Sequence, residues 1–293
     1  MKRFGLFLLI LVCFGVVQPA NAFEIQPAII DVETDPGARS QINIKLRNDE
    51  AEPVTYYVTV EKFIPYGDHG QQFFLGINDT DGLPEWTYVD APSVTLRPNE
   101  SINFPVSLRI PAGAAAGLHT AAVFFSPAPN GADGSGVSSA PRIGALLFVT
   151  VKGSITKKVS LQSFQVNKDV FELLPADFSI RLRNEGNGVS VPEGEIRIKN
   201  AFGSNVATLA INPEAKRILP DSIRALSVAW DEHPFAFGPY TATLVLEQTD
   251  VAETSVRFYV WPWRTMLWIA GGLIALIIGY FVLKRIIIRR ATA

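Results

Sequence analysis

From Phe23 to Val260 the dominant period of the apolar residues is two, and no long run keeps the three-to-four spacing of a helix. Gln41 to Arg47 alternates polar and apolar, as do Phe178 to Arg183, Ile196 to Lys199 and Ser255 to Val260. Successive side chains of an extended chain point to opposite faces, so this spacing builds strands with one face buried and one in water. Turn formers separate the runs: Asp35-Pro36-Gly37, Asn48-Asp49-Glu50, Glu185-Gly186-Asn187-Gly188 and Leu219-Pro220-Asp221. Short half-buried strands bury their apolar faces by packing sheet on sheet. The expectation is an all-β body of Ig-like antiparallel β-sandwiches.

The body reads as one unit written twice. Ile44-Lys45-Leu46-Arg47-Asn48-Asp49-Glu50 matches Ile180-Arg181-Leu182-Arg183-Asn184-Glu185-Gly186. Leu96-Arg97-Pro98-Asn99-Glu100-Ser101 resembles Ile218-Leu219-Pro220-Asp221-Ser222. Gly117-Leu118-His119-Thr120-Ala121 matches Gly238-Pro239-Tyr240-Thr241-Ala242 in the same order. Two tandem sandwiches follow, at 23–153 and 154–261. Tyr240 stands where an Ig-type tyrosine corner would place it, and His119 holds that place in the first copy. Ala242, Leu244 and Leu246 are then expected to face inward.

Both chain ends read as addresses. Lys2-Arg3, an apolar run to Val17 and Ala20-Asn21-Ala22 form a signal-peptide pattern over 1–22. Met266 to Leu283 is apolar and uncharged, with Trp261, Trp263 and Arg264 before it and Lys284, Arg285, Arg289 and Arg290 after it. That is the pattern of a single transmembrane helix, placed at 262–283, followed by a basic cytoplasmic tail at 284–293. The expected location is a bacterial cell membrane, crossed once, with the body outside (N-out, C-in). Gly271, Ala275 and Gly279 fall four apart on that helix, a spacing that allows a helix–helix dimer.

Charge and cysteine usage narrow the function. All 28 acidic residues lie between Glu24 and Glu253, where only 18 of the 26 basic residues lie. A net-acidic body is unsuited to gripping nucleic acid, which needs a basic face. Cys13, inside the expected signal, is the only cysteine. The mature chain would thus have no disulfide, thiolate metal ligand or thiol nucleophile. His69, His119 and His233 stand far apart in sequence and show no zinc-ligand spacing. Asp79-Thr80-Asp81-Gly82 begins like a calcium loop but lacks the later oxygen ligands at their offsets, and reads as turns. No metal, cofactor or catalytic constellation is expected, and the chain reads as a non-enzyme.

The candidate binding residues are Phe73, Phe74, Trp86 and Tyr88. They lie in the segment by which the first copy exceeds the second, between Tyr66 and Asp90. Aromatic residues in such a segment either cap the sandwich or offer flat faces to a sugar or a protein.

The layout of signal, two Ig-like domains, one membrane helix and a short basic tail resembles the WxL-interacting proteins of bacterial surfaces. The strand at Gly117 to Phe125, the Gly/Ser-rich stretch at Ser126 to Pro141 and the strand Arg142 to Val151 carry the likeness. The resemblance implies peptidoglycan binding by the first domain and partner or host binding by the second. The expected function is that of a membrane-anchored envelope binding or scaffold protein attached to cell-wall glycan or to secreted surface proteins. The alternatives are a structural stalk and a periplasmic chaperone-like assembly factor. An envelope hydrolase would need a polar constellation that the sequence does not offer.

Overall fold

The structure, a computed structural model, describes residues 23–128, 141–231, 236–247 and 252–291, with side chains to Phe281. The expected signal peptide with Cys13, the Gly/Ser-rich residues 129–140 and His233 lie outside the described residues, as do the side chains of the basic tail.

The body is all-β and falls into two compact units, divided between Lys152 and Gly153. Residues Ile64–Phe73 and Ala116–Leu118 group with the second unit. The first unit is built from β1 (Phe23–Gln26), β2 (Ile29–Thr34), β3 (Arg39–Asn48), β4 (Val54–Glu61), α1 (Leu83–Trp86), β7 (Thr87–Val89), β8 (Ser93–Leu96), β9 (Ser101–Arg109), β10 (Gly117–Ser126) and β11 (Ile143–Val151). Its sheets run β1-β3-β9-β7 and β2-β11-β10-β4-β8. A two-stranded hairpin, β5 (Phe63–Tyr66) and β6 (Gln71–Phe74), stands apart from both.

The second unit holds β12 (Val159–Val166), β13 (Val170–Phe171), β14 (Ala176–Asn184), β15 (Gly194–Asn200), β16 (Asn205–Ala210), β17 (Ile223–Trp230), β18 (Gly238–Leu246) and β19 (Thr254–Val260). These form sheets β12-β14-β17 and β13-β19-β18-β15-β16. The helix α2 (Trp263–Ala291) follows.

The alternation read from sequence becomes the sandwich interior. Ile44, Leu46, Phe104, Val106, Phe125, Leu147 and Val149 meet in the first core. Phe178, Ile180, Leu182, Trp230, Ala242, Leu244 and Phe258 meet in the second. Phe258 is ringed by Phe171, Phe178, Trp230 and Tyr240 at 5.6–5.9 Å between centroids. The corner also forms. The Tyr240 hydroxyl accepts from the Phe237 N–H at 3.1 Å, and at the matching place His119 Nε2 lies 2.9 Å from the Ala115 carbonyl.

Each sandwich departs from a purely antiparallel plan at one place. The first strand divides between the sheets. β1 pairs antiparallel with β3, and the chain then crosses so that β2 runs parallel to β11. In the second unit β12 pairs antiparallel with β14, while β13 runs parallel to β19. Dividing one strand ties both sheets together along one side of the sandwich, and it leaves the strand opposite the crossing unpaired for a short stretch.

α2 is the one helix among the described residues long and apolar enough to cross a membrane. Its apolar part is Trp263–Phe281, with a mean hydropathy of 1.6. The helix continues past the expected end of the span at Leu283, to Ala291. A Cβ built on Gly271 or Gly279 would meet nothing within 4 Å.

Candidate functional site

The crossing of β1 to β2 creates the site. β2 pairs with β11 only from Leu146 to Val151, where the Leu146 N–H donates to the Ala28 carbonyl at 2.9 Å. Ladder groups alternate along a strand, so Gly144, two residues before Leu146, turns its N–H and C=O to the same edge. Among the described strands, β11 has only β2 and β10 as neighbours, and β2 does not reach Ile143, Gly144 or Ala145. Among the described residues this short edge has no ladder partner.

Beside it lies a groove of about 320 Å³, lined by Phe23, Glu50, Val54, Tyr56, Phe125, Pro127, Pro141, Arg142 and Ile143. Its floor is aromatic. Phe23 stacks on Tyr56 at 3.9 Å and meets Phe125 edge-on at 6.2 Å. The Tyr56 hydroxyl is turned to Asn48 Oδ1 at 3.3 Å. Burial, and then the charges of Glu50 and Asp49, hold the Tyr56 pKa above its ordinary value.

Arg142 is committed to a second aromatic layer on the other face of the β11 sheet. Its guanidinium donates to the buried carboxylate of Glu61 at 2.5 Å and stacks over Phe124 at 4.1 Å. Phe74 meets Phe124 at 4.9 Å, and Phe63 meets Phe74 at 5.9 Å and Phe148 at 5.5 Å. Gly144 has to be glycine here, because a Cβ would stand 2.5 Å from the Phe124 ring.

The four residues expected from sequence find separate partners. Phe74 is half-buried in this second layer. Phe73, the residue before it, is exposed, with Tyr66 6.1 Å away. Trp86 ends α1, packs against the first core and lies 4.6 Å from the His119 ring. Tyr88 on β7 is exposed beneath the Arg109 guanidinium at 4.3 Å. Phe73 and Phe74 belong to the hairpin, Trp86 to α1 and Tyr88 to the β1-β3-β9-β7 sheet. None of the four lines the groove.

The groove residues Phe23, Tyr56, Phe125 and Ile143 carry no local motif. Phe125 and Ile143 stand at the strand ends that flank 129–140, whereas Phe23 and Tyr56 lie far from them in sequence. Among the described residues no group of three or more His, Cys, Asp or Glu side chains is placed to hold a metal ion.

No protein-family model matches the chain, and no curated protein sequence does. Solved structures similar to it include the class 5 fimbriae chaperone CfaA, at 16% identity and a TM-score of 0.41, covering 82% of this chain and 100% of that one. The E. coli chaperone DraB is 12% identical with a TM-score of 0.39, over 82% of this chain and 96% of that one. A chain from the Salmonella enterica SafA pilin–SafB chaperone complex is 9% identical with a TM-score of 0.38, over 83% and 98%. Likeness at this level transfers no function.

Proposed function

We propose that this chain is a membrane-tethered, non-catalytic holding protein of the cell envelope, and that its first unit takes up an extended segment of another protein. The observation that carries this reading is the open backbone edge at Gly144 beside the apolar groove. An extended peptide gains affinity by adding its backbone hydrogen bonds to such an edge, and specificity by dropping alternate side chains into a neighbouring pocket. The edge presents the N–H and C=O of Gly144, and the groove would receive an apolar side chain against Phe23, Tyr56 and Ile143.

A protein segment suits the groove better than wall glycan. Sugar hydroxyls need several polar partners, but the Tyr56 hydroxyl is turned to Asn48 and Arg142 to Glu61. This favours an assembly or scaffold role toward secreted envelope proteins. α2 serves as the tether, with the body outside the membrane. The small residues Gly271, Ala275 and Gly279 allow a second helix to approach, as part of the same proposal.

The test uses the full chain and a nine-residue peptide of alternating Val and Thr. Binding should slow amide exchange at Gly144, and Ile143→Asp should weaken it at least tenfold. Unchanged exchange at Gly144 in the presence of peptide, or tighter binding of soluble muropeptides than of peptide, overturns the reading.

A further inference from the structure

One end of the second sandwich carries an exposed apolar residue at strand end after strand end. Register places these ends together: Phe171 pairs with Val260, Val260 with Gly238, and Tyr240 with Asn200. Just beyond them stand Leu173 after β13, Trp261 after β19, Phe237 before β18 and Phe202 in the turn between β15 and β16. Their exposures are 63%, 49%, 46% and 92%. The Phe237 and Trp261 rings lie 5.0 Å apart. The Phe202 turn is held by its neighbour's side chain, since Asn200 Oδ1 accepts from the N–H groups of Phe202 and Ser204 at 3.0 Å each. Solvated surface rarely gathers large apolar side chains in this way.

α2 begins at the same end. Only Trp261 and Pro262 separate β19 from Trp263, so the link spans at most about 11 Å. It is also tied down. The Trp261 N–H donates to the Phe171 carbonyl at 2.7 Å, and the Trp263 N–H to the Trp261 carbonyl at 2.8 Å. Arg264 reaches back to Glu172 at 3.4 Å and stacks on Trp263 at 5.2 Å. A sandwich held this close to an apolar helix has its lower end at the level of the lipid headgroups, a layer about 6 Å deep on each side. Aromatic rings with a polar edge favour that layer.

We propose that Leu173, Phe202, Phe237 and Trp261 form a membrane-docking collar, seated in the lipid headgroup layer around the top of α2. The proposal rests on α2 being a membrane span. The collar fixes the second sandwich upright on the bilayer instead of leaving it on a swinging tether.

The experiment uses the full chain in phosphatidylcholine vesicles, in a Cys13→Ser background. A nitroxide is placed at Leu173→Cys, at Phe202→Cys or, at the opposite end of the same sandwich, at Val191→Cys. Collision with oxygen relative to a water-soluble nickel chelate should be at least threefold higher at 173 and 202 than at 191. Equal ratios at all three positions overturn the collar while leaving the span intact, and spin–spin broadening at 202 overturns it in favour of a second copy of this chain. Release of the chain by alkaline carbonate removes the span and the collar together.

Discussion

Asn184 does in the second sandwich what Asn48 does in the first. Each is fully buried at the end of its strand, and its Nδ2 donates to the carbonyl four residues on: Glu52 at 3.0 Å from Asn48, Gly188 at 2.8 Å from Asn184. Nδ2 also donates across the sandwich end, to Leu96 at 3.1 Å and to Ile218 at 2.9 Å. Oδ1 accepts from the N–H two residues on, Glu50 and Gly186. The backbone carbonyls complete the match by accepting from Asn99 and Asp221, which both hold φ near +58°. The Arg-Asn turn and the Pro turn are thus two halves of one clamp, which is why they recur together.

Removing either clamp leaves buried carbonyls without donors. Asn48→Leu and Asn184→Leu should each cost about 2–4 kcal/mol, since each strands more than one polar group. Urea unfolding of the full chain in detergent measures it. Asn184→Asp should cost a similar amount, because a carboxylate cannot donate to the Gly188 and Ile218 carbonyls.

Glu61 is a buried carboxylate with Arg142 as its ion-pair partner. Arg142→Met should destabilise the first unit by about 3 kcal/mol, because it leaves a charge uncompensated. The double replacement Glu61→Gln with Arg142→Met should recover a large part of that loss. Thermal melts of the two variants beside the parent chain decide it, and equal melting of the single and double variants would refute the pairing argument.

The adjacent aromatics Phe73 and Phe74 should behave oppositely. Phe74→Ala removes a ring packed on Phe63 and Phe124 and should cost about 2 kcal/mol. Phe73→Ala should change stability by about 0.5 kcal/mol or less, as at other exposed positions. Neither should alter peptide uptake at Gly144, which peptide titration of both variants checks.

Tyr56 gives the first unit a dependence on alkaline pH. Its folded pKa lies above its unfolded one, so its contribution is complete below the ordinary tyrosine pKa of 10.0. That contribution is lost as pH rises through the folded value. Absorbance of tyrosinate at 295 nm should show a late-titrating component that is lost in Tyr56→Phe. Ionisation of Tyr56 should coincide with weaker peptide binding, because the charge develops under the groove.

What was legible in the sequence was whatever has a local period. Phe178, Ile180 and Leu182 alternate with Ser179 and Arg181, and burial follows them residue by residue. The Asn and Pro turns were visible as a repeat, although the hydrogen bonds that explain it join positions 34 to 48 residues apart. The division of the first strand had no local sign, since Phe23–Gln26 and Ile29–Thr34 read as one run interrupted by Pro27. For the same reason the groove was hidden. Phe23, Tyr56, Phe125 and Ile143 come from four strands and meet only through long-range pairing. The aromatic segment was visible as composition, but not the division of labour that buries Phe74 and leaves Phe73 outside.

The tight junction at Trp261 also has a mechanical consequence. A pull exerted through α2 enters the sandwich at the end of β19, a strand bonded to β13 on one side and β18 on the other. Load arriving there is shared across two rows of backbone bonds instead of peeling a free edge one bond at a time. The second sandwich can therefore take tension arriving through α2 without unravelling from that end.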